Sequence, residues 1–168
     1  FFFSLMAIYT PIYLNQFVGF SWKEIGFILS MMHIPYITLE PMLGRIADQF
    51  HCEREILSVG LVIIGIFTII IGFITSQELF VWTLALALTR VGASFVQVAS
   101  ESYFFKKIDP DDAGMIALYR NSSPLAYIIG PAVATSILAF TNYKNLFIIL
   151  GLIMISVLYF SLRIRDTK

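Results

Sequence analysis

Four stretches of this chain run about the thickness of a bilayer without one charged side chain: residues 1–22, 56–77, 121–143 and 145–162. About 20 apolar residues cross the hydrocarbon core as a helix, because each adds roughly 1.5 Å of rise. Lipid offers no partner to a backbone N–H or C=O, so a spanning segment must be a helix or part of a closed barrel. Barrel strands alternate in polarity over about ten residues, and these runs do not alternate. Charged residues make up only 13% of the chain, against about 25% in water-soluble domains. The expected fold is all-α, a polytopic membrane protein.

Other classes are excluded by the same composition. The formal net charge is zero, which leaves no basic field for nucleic acid. Cys52 is the single cysteine, so no intramolecular disulfide forms. His51 beside it makes at most a two-ligand cluster, short of a zinc site; neither metal nor cofactor is expected. The chain opens at Phe1 inside an apolar run. Residues 1–19 lack the basic flank and small-residue cleavage site of a signal peptide, so a piece of a longer protein is expected.

Hydropathy divides the chain into six spans, at about 1–19, 24–46, 56–76, 79–105, 114–140 and 144–164. An even number puts both ends on one side. That side carries Arg45, Arg54, Lys106, Lys107, Arg163, Arg165 and Lys168, and the other only Lys23 and Lys144. The asymmetry predicts that both ends are cytoplasmic, in a bacterial or archaeal cytoplasmic membrane. Trp22, Trp82 and Tyr143 fall where an outer aromatic belt is expected. The third and sixth spans are free of ionisable residues in their cores, whereas the other four carry polar or proline-broken interiors. Two bland helices, each closing a triplet, suggest a 3+3 repeat of inverted topology. The bland ones are expected to face lipid, and the rest to line something wet.

Between the second and third spans lies Gly44-Arg45-Ile46-Ala47-Asp48, followed by Gln49, Phe50, His51, Cys52, Glu53 and Arg54. This resembles motif A of the major facilitator superfamily, Gly-x-Leu-Ala-Asp-Arg-x-Gly-Arg-Lys. Gly44, Ala47 and Asp48 match, Ile46 stands for the Leu, Gln49 for the Arg and His51 for the second Gly, and the basic pair is reduced to Arg54. The resemblance covers the whole chain. It implies a secondary active transporter of a small solute, with two six-helix halves rocking about a midplane site. A degenerate copy of the motif, and an end at 163–168 without a long central loop, point to the C-terminal half of a twelve-helix chain. The partners implied are the solute, the lipid bilayer and the missing N-terminal half. Thr10-Pro11 with Gly19 to Gly26 resembles the family's first-helix exit. Gly130-Pro131 is similar to its antiporter motif C without the flanking glycines, and is read as a packing kink.

The motif itself predicts a conformational latch. Gly44, lacking a Cβ, is expected to admit a close helix neighbour, and Asp48 to meet a helix dipole or an arginine. By family analogy Glu101 pairs with Arg54. Arg90, near mid-bilayer, is the leading substrate-cavity candidate, since a charge there costs several kcal/mol (~3 on insertion scales) unless it faces a cavity or a partner. It binds an anionic or hydrogen-bonding solute group, or it forms a structural ion pair with Glu40 or with the missing half. Gln97, His33, Asn15 and Asn121 join it as cavity candidates. Glu40 and Arg120 are candidates for ion pairing or for coupling to protons or sodium. Asn121-Ser122-Ser123-Pro124 is expected to interrupt the fifth span, and His33 with Pro35 the second. The competing classes are a non-transporting assembly or channel subunit and an intramembrane enzyme. The latter lacks a Gly-x-Ser-Gly turn: Gly92-Ala93-Ser94-Phe95 does not fit. No enzymatic activity is expected.

Overall fold

A computed structural model describes residues 1–50, 52–109 and 111–163; His51, Arg165 and Lys168, which entered the sequence reading, lie outside them. The described residues are helical throughout, without strands. The order is α1 (Phe2–Tyr13), a π-helical turn (Leu14–Val18), α2 (Trp22–Met31), α3 (Ile34–Phe50), α4 (Glu53–Phe73), α5 (Leu79–Lys107), α6 (Ala113–Leu138) and α7 (Tyr143–Ser161). Of the described helices, α4, α5 and α7 are long and apolar enough to cross a membrane.

Local chemistry sets these boundaries. The π turn ends at Gly19, whose φ of 91° lies in the left-handed region open to glycine. Ser21 starts α2 through a capping box: its hydroxyl accepts from the Glu24 amide, and the Glu24 carboxylate accepts from the Ser21 amide. Asp112 caps α6 by accepting from the Met115 amide at 3.0 Å, and Asn142 caps α7 by accepting from the Asn145 amide at 2.9 Å. Asn142→Ala strips α7 of that acceptor. It is expected to cost about 1 kcal/mol, read as a lowered unfolding temperature in detergent.

Packing places α4 at the centre of one layer, between α5 and α7. Glycines make this possible. A Cβ on Gly60 would lie 2.9 Å from the Gly92 carbonyl oxygen of α5, and one on Gly92 would lie 2.8 Å from the Gly60 oxygen. On the other face, a Cβ on Gly151 of α7 would lie 2.7 Å from the Gly65 oxygen. At these crossings the backbones touch, the geometry that small residues permit between membrane helices. Across the rest of the bundle, α1 packs on α6, where a Cβ on Gly130 would meet the Ser4 hydroxyl at 2.7 Å. The Tyr9 hydroxyl donates to the Pro131 carbonyl at 3.1 Å beside it. Gly130-Pro131 thus serves packing, as read from the sequence.

The expected break at His33 and Pro35 is present, and several other expectations need correction. The second span is two helices, with Met32 and His33 between them. Pro35 has no N–H for the Met31 carbonyl, and the His33 Nδ1 lies 2.6 Å from the Leu29 carbonyl oxygen at the same break. The charged turn is shorter than expected, because Asp48 belongs to α3 and Glu53 to α4. In the fifth span, α6 runs unbroken past Pro124; the Ser122 hydroxyl donates to the Tyr119 carbonyl at 2.6 Å in the turn before it. The bland α4 has α5 on one side and α7 on the other, with Val59, Ile66, Ile70 and Phe73 left exposed. Trp82 is no belt residue: it is fully buried, in ring contact with Tyr13, and its indole donates to the Ser76 carbonyl at 2.8 Å. Tyr13 also meets Phe147 and Tyr143, so aromatic rings fill the end of the bundle where α1, α5 and α7 converge.

Candidate functional site

Two helix faces build the polar interior. On α5, Arg90, Gln97 and Glu101 fall seven and then four residues apart, near-multiples of a helical turn that put them on one side. On α3, Tyr36, Glu40, Gly44 and Asp48 repeat every fourth residue and give a second stripe. These stripes and residues of α1, α2 and α6 enclose three adjoining clefts. The first, about 430 Å³, brings Arg90, Gln97 and His33 together with Tyr36, Ser123 and Tyr127. A second, about 370 Å³, adds Glu101, Arg120, Ser122 and Tyr119. The third, about 320 Å³, lies between Glu40, Gly44 and Asp48 on α3 and Gln97 and Glu101 on α5. Gln97 lines all three. Neither α4 nor α7 contributes to any of them, so the bland helices stand behind the polar ones.

Arg90 is the buried charge of this region, 5% exposed. Its Nε has no hydrogen-bond partner, and its guanidinium meets the Tyr36 phenol, through charge and a side-chain hydrogen bond, in the cleft they share. The ion pair with Glu40, one of the two readings open in the sequence, is not formed: among the described residues no salt bridge reaches Arg90. Glu40 and Glu101 line the same cleft, and their carboxylates interact electrostatically. The Glu101 carboxylate accepts from the Gln97 amide at 2.7 Å.

Asn15 and Asn121 stand apart from these clefts. The Asn15 amide donates to the Phe20 carbonyl at 2.9 Å, which ties off the π turn, and Asn121 is exposed on α6. His33 is exposed at the α2–α3 break, its ring 6.2 Å from that of Tyr36.

The latch region is wired differently from the family analogy. Arg54 pairs with Glu55 at 2.6 Å, and no Arg54–Glu101 salt bridge forms among the described residues. The organising cation is Lys106, at the end of α5. Its ammonium donates to the Glu53 carboxylate at 2.6 Å and to the Ala47 carbonyl at 2.9 Å, and lies 3.4 Å from Asp48. One side chain of α5 therefore holds the C-terminal end of α3 and the first residue of α4. Glu53, 1% exposed, sits where the α4 dipole favours a negative charge. Leu43, Ala47, Ile56 and Ala99 form a small apolar cluster in the same region. Gly44 departs from expectation: a Cβ there would meet nothing within 4 Å, since this residue lines the open third cleft.

Sequence reasoning missed Lys106, Glu53, Tyr36, Ser123 and Tyr127. The four-residue repeat from Tyr36 to Asp48 was a readable sign for one of them. Lys106 carried no sign beyond being a cation at a helix end.

The adjoining polar clefts are thus lined by five helices, α1, α2, α3, α5 and α6, with the apolar α4 and α7 behind them. The sequence matches the Major Facilitator Superfamily over residues 1–168. The chain belongs to that family, whose members are transporters and not enzymes. Neither the curated proteins nor the solved structures returned a match.

Proposed function

We propose that this chain is the C-terminal six-helix half of a secondary transporter that moves a small solute by alternating access. In this reading α1 with its π turn, the α2–α3 pair, α4, α5, α6 and α7 are six spans in a 3+3 inverted repeat. Both ends face the cytoplasm of a bacterial or archaeal cell. The solute site is the cleft around Arg90, completed by the N-terminal half. One observation carries the reading: the three adjoining clefts share Gln97 and draw their walls from α1, α2, α3, α5 and α6, not from the two bland helices. That is the arrangement expected of a half-carrier whose open side awaits a second half. Degeneracy of the Gly44–Asp48 motif favours the C-terminal position. The Lys106 knot, joining three helices where that motif lies, is the element that rocking would make and break. Glu40 and Arg120 remain candidates for coupling to protons or sodium.

The deciding experiment is gradient-driven uptake by the full-length parent protein in liposomes, run over a solute panel. Uptake under an imposed ion gradient is expected. Gln97→Leu should reduce it about tenfold, equivalent to roughly 1.4 kcal/mol of lost transition-state binding, with unchanged elution in detergent. Absence of flux for every solute and gradient would instead favour a non-transporting assembly subunit.

A further inference from the structure

We infer that the Arg90 cleft binds a small organic monoanion, a carboxylate on an apolar body, whose charge the guanidinium neutralises. The inference rests on the reading of this cleft as the solute site and names the class of solute it takes. Arginine keeps its proton under all ordinary conditions, so it cannot relieve burial as a lysine can, by becoming neutral. A buried, always-charged group needs a counter-charge or a full set of acceptors. Arg90 is 5% exposed and has the Tyr36 phenol as a hydrogen-bond partner, but its Nε is without one and no described carboxylate is paired with it.

The cleft wall explains the deficit. The polar side chains facing it besides Arg90 are His33, Tyr36, Gln97, Ser123 and Tyr127, with no Asp or Glu among them. The planar guanidinium fork matches a carboxylate through two parallel hydrogen bonds. Phe3, Leu29 and Met32 with the tyrosine rings make the rest of the wall apolar, which suits a hydrocarbon or aryl body. A volume of about 430 Å³ is that of a small-molecule site. One negative charge fits better than two, because the adjoining clefts set Glu40, Asp48 and Glu101 against Arg120 alone and repel a second anionic group.

Benzoate and benzamide, alike in shape and different in charge, make the test. Binding of each to the detergent-purified full-length protein is measured calorimetrically in low-chloride buffer, for wild type, Arg90→Lys and Arg90→Gln. Wild type is expected to bind benzoate at least about tenfold more tightly than benzamide, the difference a charge-assisted hydrogen bond supplies. Arg90→Lys should keep part of that preference and Arg90→Gln should abolish it. Equal binding of the two probes by wild type, no benzoate binding, or a preference that survives Arg90→Gln would each overturn the inference. The last would point to a carboxylate-binding group, and the first two to a counter-charge, supplied by the other half. If Arg90→Gln does not fold, the wild-type comparison and Arg90→Lys still decide. Flux is scored separately. Arg90-dependent benzoate binding without transport of any solute removes the transporter reading and leaves the anion site. Uptake that prefers neutral solutes does the reverse.

Discussion

Replacing Gly92 by leucine is expected to destabilise the bundle by about 3 kcal/mol or more, at or beyond the upper end of ordinary overpacking. The first added atom alone would sit 2.7 Å from the Ile64 nitrogen and 2.8 Å from the Gly60 oxygen. Both are backbone atoms of α4, and a helix backbone cannot turn aside as a side chain can. The helices must separate, and α4 loses contacts with α5 along their whole crossing. Thermal unfolding in detergent, followed by size-exclusion chromatography, should show a large drop or no folded peak. Gly60→Ala, at the same crossing, should cost less in the Gly92 variant than alone, because the gap is already open. Gly26→Ala is the control: a Cβ there meets nothing within 4 Å, and α2 should hold or gain up to about 1 kcal/mol from lost backbone freedom. An unchanged melting temperature for Gly92→Leu would refute the backbone contact.

Lys106→Met is expected to cost about 2 kcal/mol and to loosen the α3–α4 turn. The substitution keeps most of the apolar stem and removes the ammonium. It takes from Glu53 its 2.6 Å partner and from the Ala47 carbonyl its 2.9 Å donor. Breaking a fully buried pair costs roughly 3–5 kcal/mol. The Lys106 side chain is 24% exposed, so water replaces part of what is lost. The contact with Asp48 contributes little, because that carboxylate is 72% exposed at 3.4 Å. Asp48→Asn should therefore shift stability by less than about 1 kcal/mol. Glu53→Gln should behave more like Lys106→Met than like Asp48→Asn. Hydrogen exchange across 44–57 reads the loosening directly. Protection unchanged in Lys106→Met would show that the knot holds nothing together.

The solvent, the helical class and the family were all legible in the order of residues. Runs without charge left the backbone no other way to satisfy its hydrogen bonds in lipid, and Gly44, Ala47 and Asp48 carried the family pattern. The break at His33 and Pro35 was legible too, since a missing N–H is a local fact. The interruption expected at Asn121 to Pro124 was not found. A single proline removes one hydrogen bond, the one the Arg120 carbonyl would accept, and the rest of the ladder carries α6 through it.

Partnerships were the part that linear order left open. Helical spacing tells which residues share a face, so Arg90, Gln97 and Glu101 could be placed together from their numbers. It does not tell how far a helix is rotated or where two helices cross. Those depend on glycines such as Gly60, Gly92, Gly65 and Gly151, which let the backbones of α4, α5 and α7 touch. Once the crossings are set, Lys106 and not Arg54 reaches Glu53 and Asp48, and Gly44 faces an open cleft. The same crossings leave Arg90 in a wall without a carboxylate. The sequence by itself determined that a charge lies in the membrane, because bilayer thickness and residue rise are universal. Only the tertiary structure decided that no described carboxylate pairs with this charge, because pairing is a property of distances between helices.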